Sequence, residues 1–196
     1  MVDGKVRFKR QGGRTMKKKI ENIREVEQYD VVVNCTGIGA RSLVNDAEVQ
    51  PIRGQVIRVH AHWIKHFAIT ADAGHSSYVI PCANNVLLGG TTQVGNWNLK
   101  IDENDKKKIW EGCCKMYPSL KHAKLDYDWV GLRPSRTSVR LEKEIMNING
   151  REIKVVHNYG HGGSGVTFHW GCAQDTTTLV SQLLGVKTRR TPTAKL

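Results

Sequence analysis

The rhythm of hydrophobic and polar positions changes several times along this chain. Residues 1–27 are polar and basic, and their few apolar positions predict at most a short β-hairpin around residues 5–8 and 15–20. Residues 29–35 (YDVVVNC) form a compact β-branched run, read as a buried parallel strand. The glycines of TGIGA then turn the chain into a short helical piece at 41–44. From Pro51 to about Thr92 the pattern alternates. Residues 55–60, 77–80 and 86–90 read as antiparallel strands with one buried face. Residues 102–116 predict a helix. Asp102, Glu103 and Asp105 crowd its first turn, where the helix dipole favours anions, and Ile109, Cys113 and Met116 share one side. Residues 127–131 and 153–158 predict two further strands, and 177–184 a last helix. Residues 191–196 read as a disordered polar tail.

The order is α/β, then antiparallel β, then α/β again, and a chain of 196 residues can bury one good core. Hydrophobic residues make up 39% and charged residues 24%, the proportions of a globular protein rather than a disordered one. No apolar run approaches the roughly 20 residues of a membrane span. The polar, basic start does not read as a secretory signal. The net charge of +12 would suggest a nucleic-acid partner, but much of the excess sits at the two ends of the chain. Solvated termini explain it better than a binding face, and no nucleic acid or membrane partner is expected.

Five cysteines, Cys35, Cys82, Cys113, Cys114 and Cys172, match no zinc spacing and read as reduced, buried structural thiols. His60, His62 and His66 lie close in sequence, but on an alternating segment and a loop their side chains need not converge, so no metal site is expected.

Residues 158–171 (NYGHGGSGVTFHWG) carry five glycines in 14 positions, leading into a helical start. Without a Cβ, backbone N–H groups can come close to an anion or an electron-rich cofactor edge. A tight structural turn would need the same glycines. Two further motifs accompany it: GLRPSR at 131–136 and the terminal Ala194-Lys195-Leu196.

With VNCTG at 33–37, PIRGQ at 51–55, GGT at 89–91, GNW at 95–97 and IWEGCC at 109–114, these motifs resemble the D-amino-acid oxidase family, which includes the D-aspartate oxidases. The resemblance runs from about residue 29 to residue 196. It implies a mixed α/β fold in which a partial FAD-binding domain interleaves with an antiparallel β substrate domain. The expected segments are 1–50 and 131–190 for the FAD domain, 51–130 for the substrate domain, and 191–196 as a targeting tail.

The resemblance also implies roles. Arg133 would hold a substrate carboxylate through two parallel hydrogen bonds. The Tyr78 phenol would donate to the same carboxylate, and the Gly163 carbonyl would accept from the substrate amine. Thr36, Gly37, Gly162, Gly163, Ser164, Gly165, Val166 and Thr167 would touch FAD. Arg136 and Arg140 read by default as structural ion pairs. No side chain is expected to act as general base, because hydride transfer to the flavin is catalysed by orientation. The implied reactants are a D-amino acid and dioxygen. Ala194-Lys195-Leu196 is similar to the peroxisomal Ser-Lys-Leu address, implying an import receptor and the peroxisomal matrix.

Family members open with a strand and a Gly-x-Gly-x-x-Gly turn for the ADP half of FAD, and neither is present in this sequence. The expectation is therefore a fragment or truncated form that binds FAD weakly or not at all. The short span from Phe67 to Tyr78 leans toward D-aspartate oxidases, whereas Thr92 stands where that branch carries an arginine. Acidic substrates are slightly favoured on this reading, with a neutral or broad D-amino-acid oxidase as the alternative.

Overall fold

A computed structural model describes residues 4–72 and 75–186 of the chain. It is a mixed α/β structure organised on one sheet of eight strands. In chain order the main elements are α1 (Gly4–Arg10), β1 (Val32–Asn34), α2 (Ala40–Leu43), β2 (Gln50–His60), β3 (Ala68–Asp72), β4 (His75–Pro81), β5 (Val86–Gly89), β6 (Gln93–Val94), α3 (Glu103–Met116), β7 (Lys124–Ile148), β8 (Arg151–His161) and α4 (Gly165–Leu184). The strand order is β1-β8-β7-β2-β5-β4-β3, with β6 also on β2. The β1–β8 pair is parallel. The other pairs are antiparallel.

β7 joins the two regions of the sheet. Lys124 to Ser135 pair with β2, and Ser135 to Ile148 pair with β8, with a register irregularity between Ser135 and Arg140 at the handover. The boundary expected between residues 130 and 131 falls inside this unbroken strand.

One face of β2, β4 and β5 packs on α3. Ile57, Val59, Val79, Val86 and Leu88 meet Ile109, Cys113 and Cys114 in the largest core cluster. Asp102 caps α3 by accepting from the Asp105 N–H at 2.9 Å, which fixes the helix start where the acidic cluster predicted it. Burial pushes the Cys113 thiol up to about 12, so it is inert packing. A second cluster under β8 gathers Ile23, Ile153 and Val155.

Arg53, 1% exposed, ties the loop before α3 to the sheet. It donates to Asp105 Oδ2 (2.9 Å), Gln93 Oε1 (3.0 Å), Gln55 Oε1 (2.7 Å) and the carbonyls of Asn98 and Lys100 (both 2.8 Å). A buried guanidinium persists only when its donors are satisfied in this way.

Several expectations are corrected. Residues 4–10 form α1 rather than one arm of a hairpin. Straight-chain Lys and Arg favour helix, and Gly12 at φ 87° provides the left-handed stop. β1 is shorter than expected and lies at the end of the strand order, leaving Val33 42% exposed. Cys35 and Cys82 are exposed, not buried. The last helix starts at Gly165, twelve residues earlier than residue 177, so the glycine loop and the helix form one continuous device. The tail at 191–196, with Ala194-Lys195-Leu196, lies outside the described residues.

Candidate active site

Arg133 and Tyr78 project from different strands onto the same face of the sheet, opposite α3. With Val56, Arg58, Leu87, Tyr127 and Trp129 they line a cavity of about 370 Å³. Glycines make the room. Gly54 lies two register pairs from Arg133, on the same face, and a Cβ there would fall 2.4 Å from Arg133 Nη1. The guanidinium therefore rests on bare backbone. A Cβ at Gly89 or Gly90 would fall 2.1 or 2.5 Å from the Tyr78 ring or its hydroxyl oxygen. Isolated glycines inside strands often mark such close approaches.

Arg133 Nη1 donates to the Thr91 carbonyl at 3.1 Å. Thr91 is buried and fixed in turn, because its Oγ1 accepts from the Gln55 N–H at 2.8 Å. Among the described residues Arg133 forms no ion pair with a carboxylate. A partly buried guanidinium held by one carbonyl leaves N–H donors free for an anionic ligand. Arg136 and Arg140 differ in this respect. Arg136 bonds Asp46 Oδ2 at 3.0 Å and Glu48 at 3.1 Å, and Arg140 pairs with Glu142, Glu144 and Asp46. Burial pushes Asp46 up, but hydrogen bonds from Tyr159 and Arg136 outweigh it and hold the carboxyl below its ordinary value. Both arginines are structural.

Pro134 gathers the remaining candidates. Its carbonyl accepts from the Gly162 N–H at 2.7 Å, and its ring lies against Gly37, where a Cβ would fall 3.3 Å from Cγ. Gly37 and Gly162 both have φ 56°, which a side chain would disfavour. Gly163 approaches the Arg133 side chain, 3.8 Å from Cδ to its ideal Cβ position. Thr36-Gly37, Gly162-Gly163 and Arg133 thus converge on one corner of the sheet. Ser164 precedes α4 without a side-chain cap, so the N–H groups at Gly165, Val166 and Thr167 point out of the helix start. Val166 is 86% exposed. This uncapped, glycine-fronted helix start fits an electron-rich cofactor edge.

A buried chain of polar groups supports Thr36. Asn34 Oδ1 accepts from the Thr36 N–H (3.2 Å) and Oγ1 (2.7 Å). The Asn34 amide nitrogen donates to His157 Nδ1 at 3.3 Å, and His157 Nε2 then donates to Glu144 at 3.0 Å. Sequence reasoning did not assign this network. It also gave no role to Thr91 or to the paired glycines Gly54 and Gly131, which it named only within the motifs that carry the resemblance.

A family model described as FAD dependent oxidoreductase matches residues 5–179, and the chain belongs to that family. It is 46% identical over 184 residues to a D-amino acid oxidase of Dugesia ryukyuensis, covering 91% of this chain and 54% of the relative. It is 42% identical over 190 residues to a D-aspartate oxidase of Homo sapiens, covering 96% of this chain and again 54% of the relative. The chain therefore spans about half the length of the curated relatives it matches. Among solved structures, glycine oxidase from Geobacillus kaustophilus is similar in fold, with a TM-score of 0.64 at 18% identity over 81% of this chain and 42% of that one.

Proposed function

We propose that this chain carries the substrate-binding half and the flavin-edge loop of an oxidase that deaminates D-amino acids. The observation that supports it most is Arg133: a guanidinium without a carboxylate partner among the described residues, resting on Gly54 in a cavity shared with Tyr78 and beside Gly163. An α-carboxylate would take two parallel hydrogen bonds from Arg133 and one from the Tyr78 hydroxyl. The substrate amine would donate to the Gly163 carbonyl. These contacts fix the α-carbon, so catalysis is by orientation and requires no side-chain base.

Thr36, Gly37 and the loop from Gly162 to Thr167 would hold the FAD that the family uses. When bound, the flavin supplies the two-electron acceptor for the α-hydrogen leaving as hydride. The imino acid released would hydrolyse to a 2-oxo acid and ammonia, and dioxygen would take the electrons to give hydrogen peroxide. The terminal Ala194-Lys195-Leu196 supports a peroxisomal destination through an import receptor.

Two readings of the side chain remain from the sequence. Likeness to the human D-aspartate oxidase favours an acidic substrate. Thr92 at the position where an arginine would pair the second carboxylate favours a neutral one.

The test is calorimetric titration of the chain with D-alanine and L-alanine, beside anaerobic addition of D-amino acids to the protein incubated with FAD. Binding of the D enantiomer that is lost in Arg133→Ala, with flavin bleaching where flavin is retained, supports the proposal. Equal binding by the Arg133→Ala variant would sink it.

A further inference from the structure

The cavity has a wall that the carboxylate anchor does not explain. Trp129, Val56, Gly89 and Tyr78 form one row across four strands, each the register partner of the next. Partners in a ladder share a face, so the indole and the phenol rise from the same side of the sheet. Trp129 leans along its own strand onto Gly131, where a Cβ would fall 2.1 Å from the Cη2 of its six-membered ring. Gly131 pairs with Gly54, which carries the Arg133 guanidinium. Two side chains thus lie side by side on a pair of opposed glycines. Cβ positions in such a pair stand about 5 Å apart. The indole sits beside the carboxylate anchor, and Tyr78 closes the other flank.

The indole is not part of the core. Trp129 is 55% exposed, whereas Val56 beside it is 4% exposed. Between the two flanks the floor is apolar, formed by Val56 and Leu87. The other guanidinium in the cavity, Arg58, lies four residues along β2 from Gly54, about 13 Å at the strand rise. Its Nη1 donates to Asn85 Oδ1 (2.9 Å) and Cys82 Sγ (3.1 Å), which draws the guanidinium toward the far turn. A second carboxylate only a few bonds from the first would meet Trp129 and Val56, not Arg58.

We propose that Trp129 determines side-chain specificity in this site, and that the site prefers D-amino acids with flat, apolar side chains, the aromatic ones above all. The inference rests on Arg133 holding the α-carboxylate. A planar side chain leaving that anchor lies against the indole and the apolar floor. Ring-on-ring packing and the area buried with it favour such a substrate over alanine by about tenfold. An aspartate side chain loses hydration at the same wall without gaining a charged partner.

The experiment compares D-phenylalanine, D-alanine and D-aspartate by calorimetric titration of the 196-residue chain, its Trp129→Ala and Trp129→Phe variants, and Arg133→Ala. The expected order is D-phenylalanine tightest, by about tenfold over D-alanine. Trp129→Ala abolishes that difference while D-alanine still binds, and Trp129→Phe restores most of it. Because the indole is half exposed, its removal leaves the core intact, which unchanged circular dichroism verifies. If the preference for D-phenylalanine survives in Trp129→Ala, or if D-aspartate binds best, the specificity role is wrong and the carboxylate anchor stands. If none of the three binds, or binding ignores Arg133→Ala, the anchor itself fails and the inference with it.

Discussion

Arg133 and Gly54 are fitted to each other: the guanidinium lies where any side chain at position 54 would begin, 2.4 Å from Nη1 to the ideal Cβ. Gly54 is not among the left-handed glycines, so Ala at this position carries no backbone strain. Gly54→Ala should therefore fold normally yet push the guanidinium off its seat and away from the Thr91 carbonyl. Losing a charge-assisted hydrogen bond costs about 1.5–3 kcal/mol, so D-alanine affinity should fall roughly 10- to 100-fold. Calorimetric titration with a parallel melting curve checks it. Unchanged affinity would mean that the guanidinium has room elsewhere.

Tyr78 makes a smaller contribution by the same logic. Its ring fills the hollow over Gly89 and Gly90, and a phenylalanine would fill it equally. Tyr78→Phe should leave the melting temperature near that of the parent. It should weaken D-alanine binding by roughly tenfold, the lower end of the range for a single hydrogen bond to a charged group. A large loss of stability would instead assign the hydroxyl a structural partner.

The buried pair Arg53–Asp105 governs stability rather than binding. Its side chains are 1% and 13% exposed, and the guanidinium satisfies three side chains and two carbonyls at once. Arg53→Ala removes a charged donor from all three acceptors. Among the described residues it leaves Asp105 Oδ2 only the Gln93 amide, Gln93 Oε1 only the Asn96 amide and Gln55 Oε1 only the Asp102 N–H. The expected cost is about 3–5 kcal/mol, read as a lower urea midpoint. A loss below about 1 kcal/mol would show that water replaces the guanidinium freely.

The local signals in the sequence were strong where chemistry and pattern agreed. α3 announced itself through its Asp102 cap, its acidic first turn and the spacing of Ile109 and Cys113, and the structure uses all three. The glycine loop was legible because close approach demands glycine whatever the fold. Residues 1–27 misled because a polar, lysine-rich segment buries almost nothing, and periodicity then carries no information about its conformation. The strand expected at 127–131 is only a small part of β7, which runs on through Pro134, a residue with no N–H to give to a ladder. In the structure Pro134 pairs opposite Pro51, and the strand continues because its second half finds a new neighbour in β8. The seats of Arg133 and Trp129 were illegible for a similar reason. They depend on Gly54 facing Gly131, a register between residues 77 positions apart that only the folded sheet determines.

The polar chain beneath Thr36 makes stability depend on pH in a predictable direction. His157 is fully buried, and burial, with Arg140 nearby, pulls its pKa below the ordinary 6.5 against the opposing pull of Glu144 and Glu142. The unfolded chain therefore takes up a proton at this residue at a higher pH than the folded one. The contribution is fully present above about pH 6.5 and is lost as pH falls below it, by at most about 1.4 kcal/mol per pH unit. The bonding pattern gives the same sign. Nδ1 accepts from the Asn34 amide, so a second ring proton would face an N–H and force the amide to turn, releasing Thr36 from Asn34 Oδ1. Glutamine can accept from Asn34 and donate to Glu144 without titrating. His157→Gln should therefore flatten the fall in melting temperature between about pH 7.5 and about pH 5.5 while changing the value at the upper end little. Parallel melting curves for the two proteins decide it, and an equal slope in both would place the titrating group elsewhere.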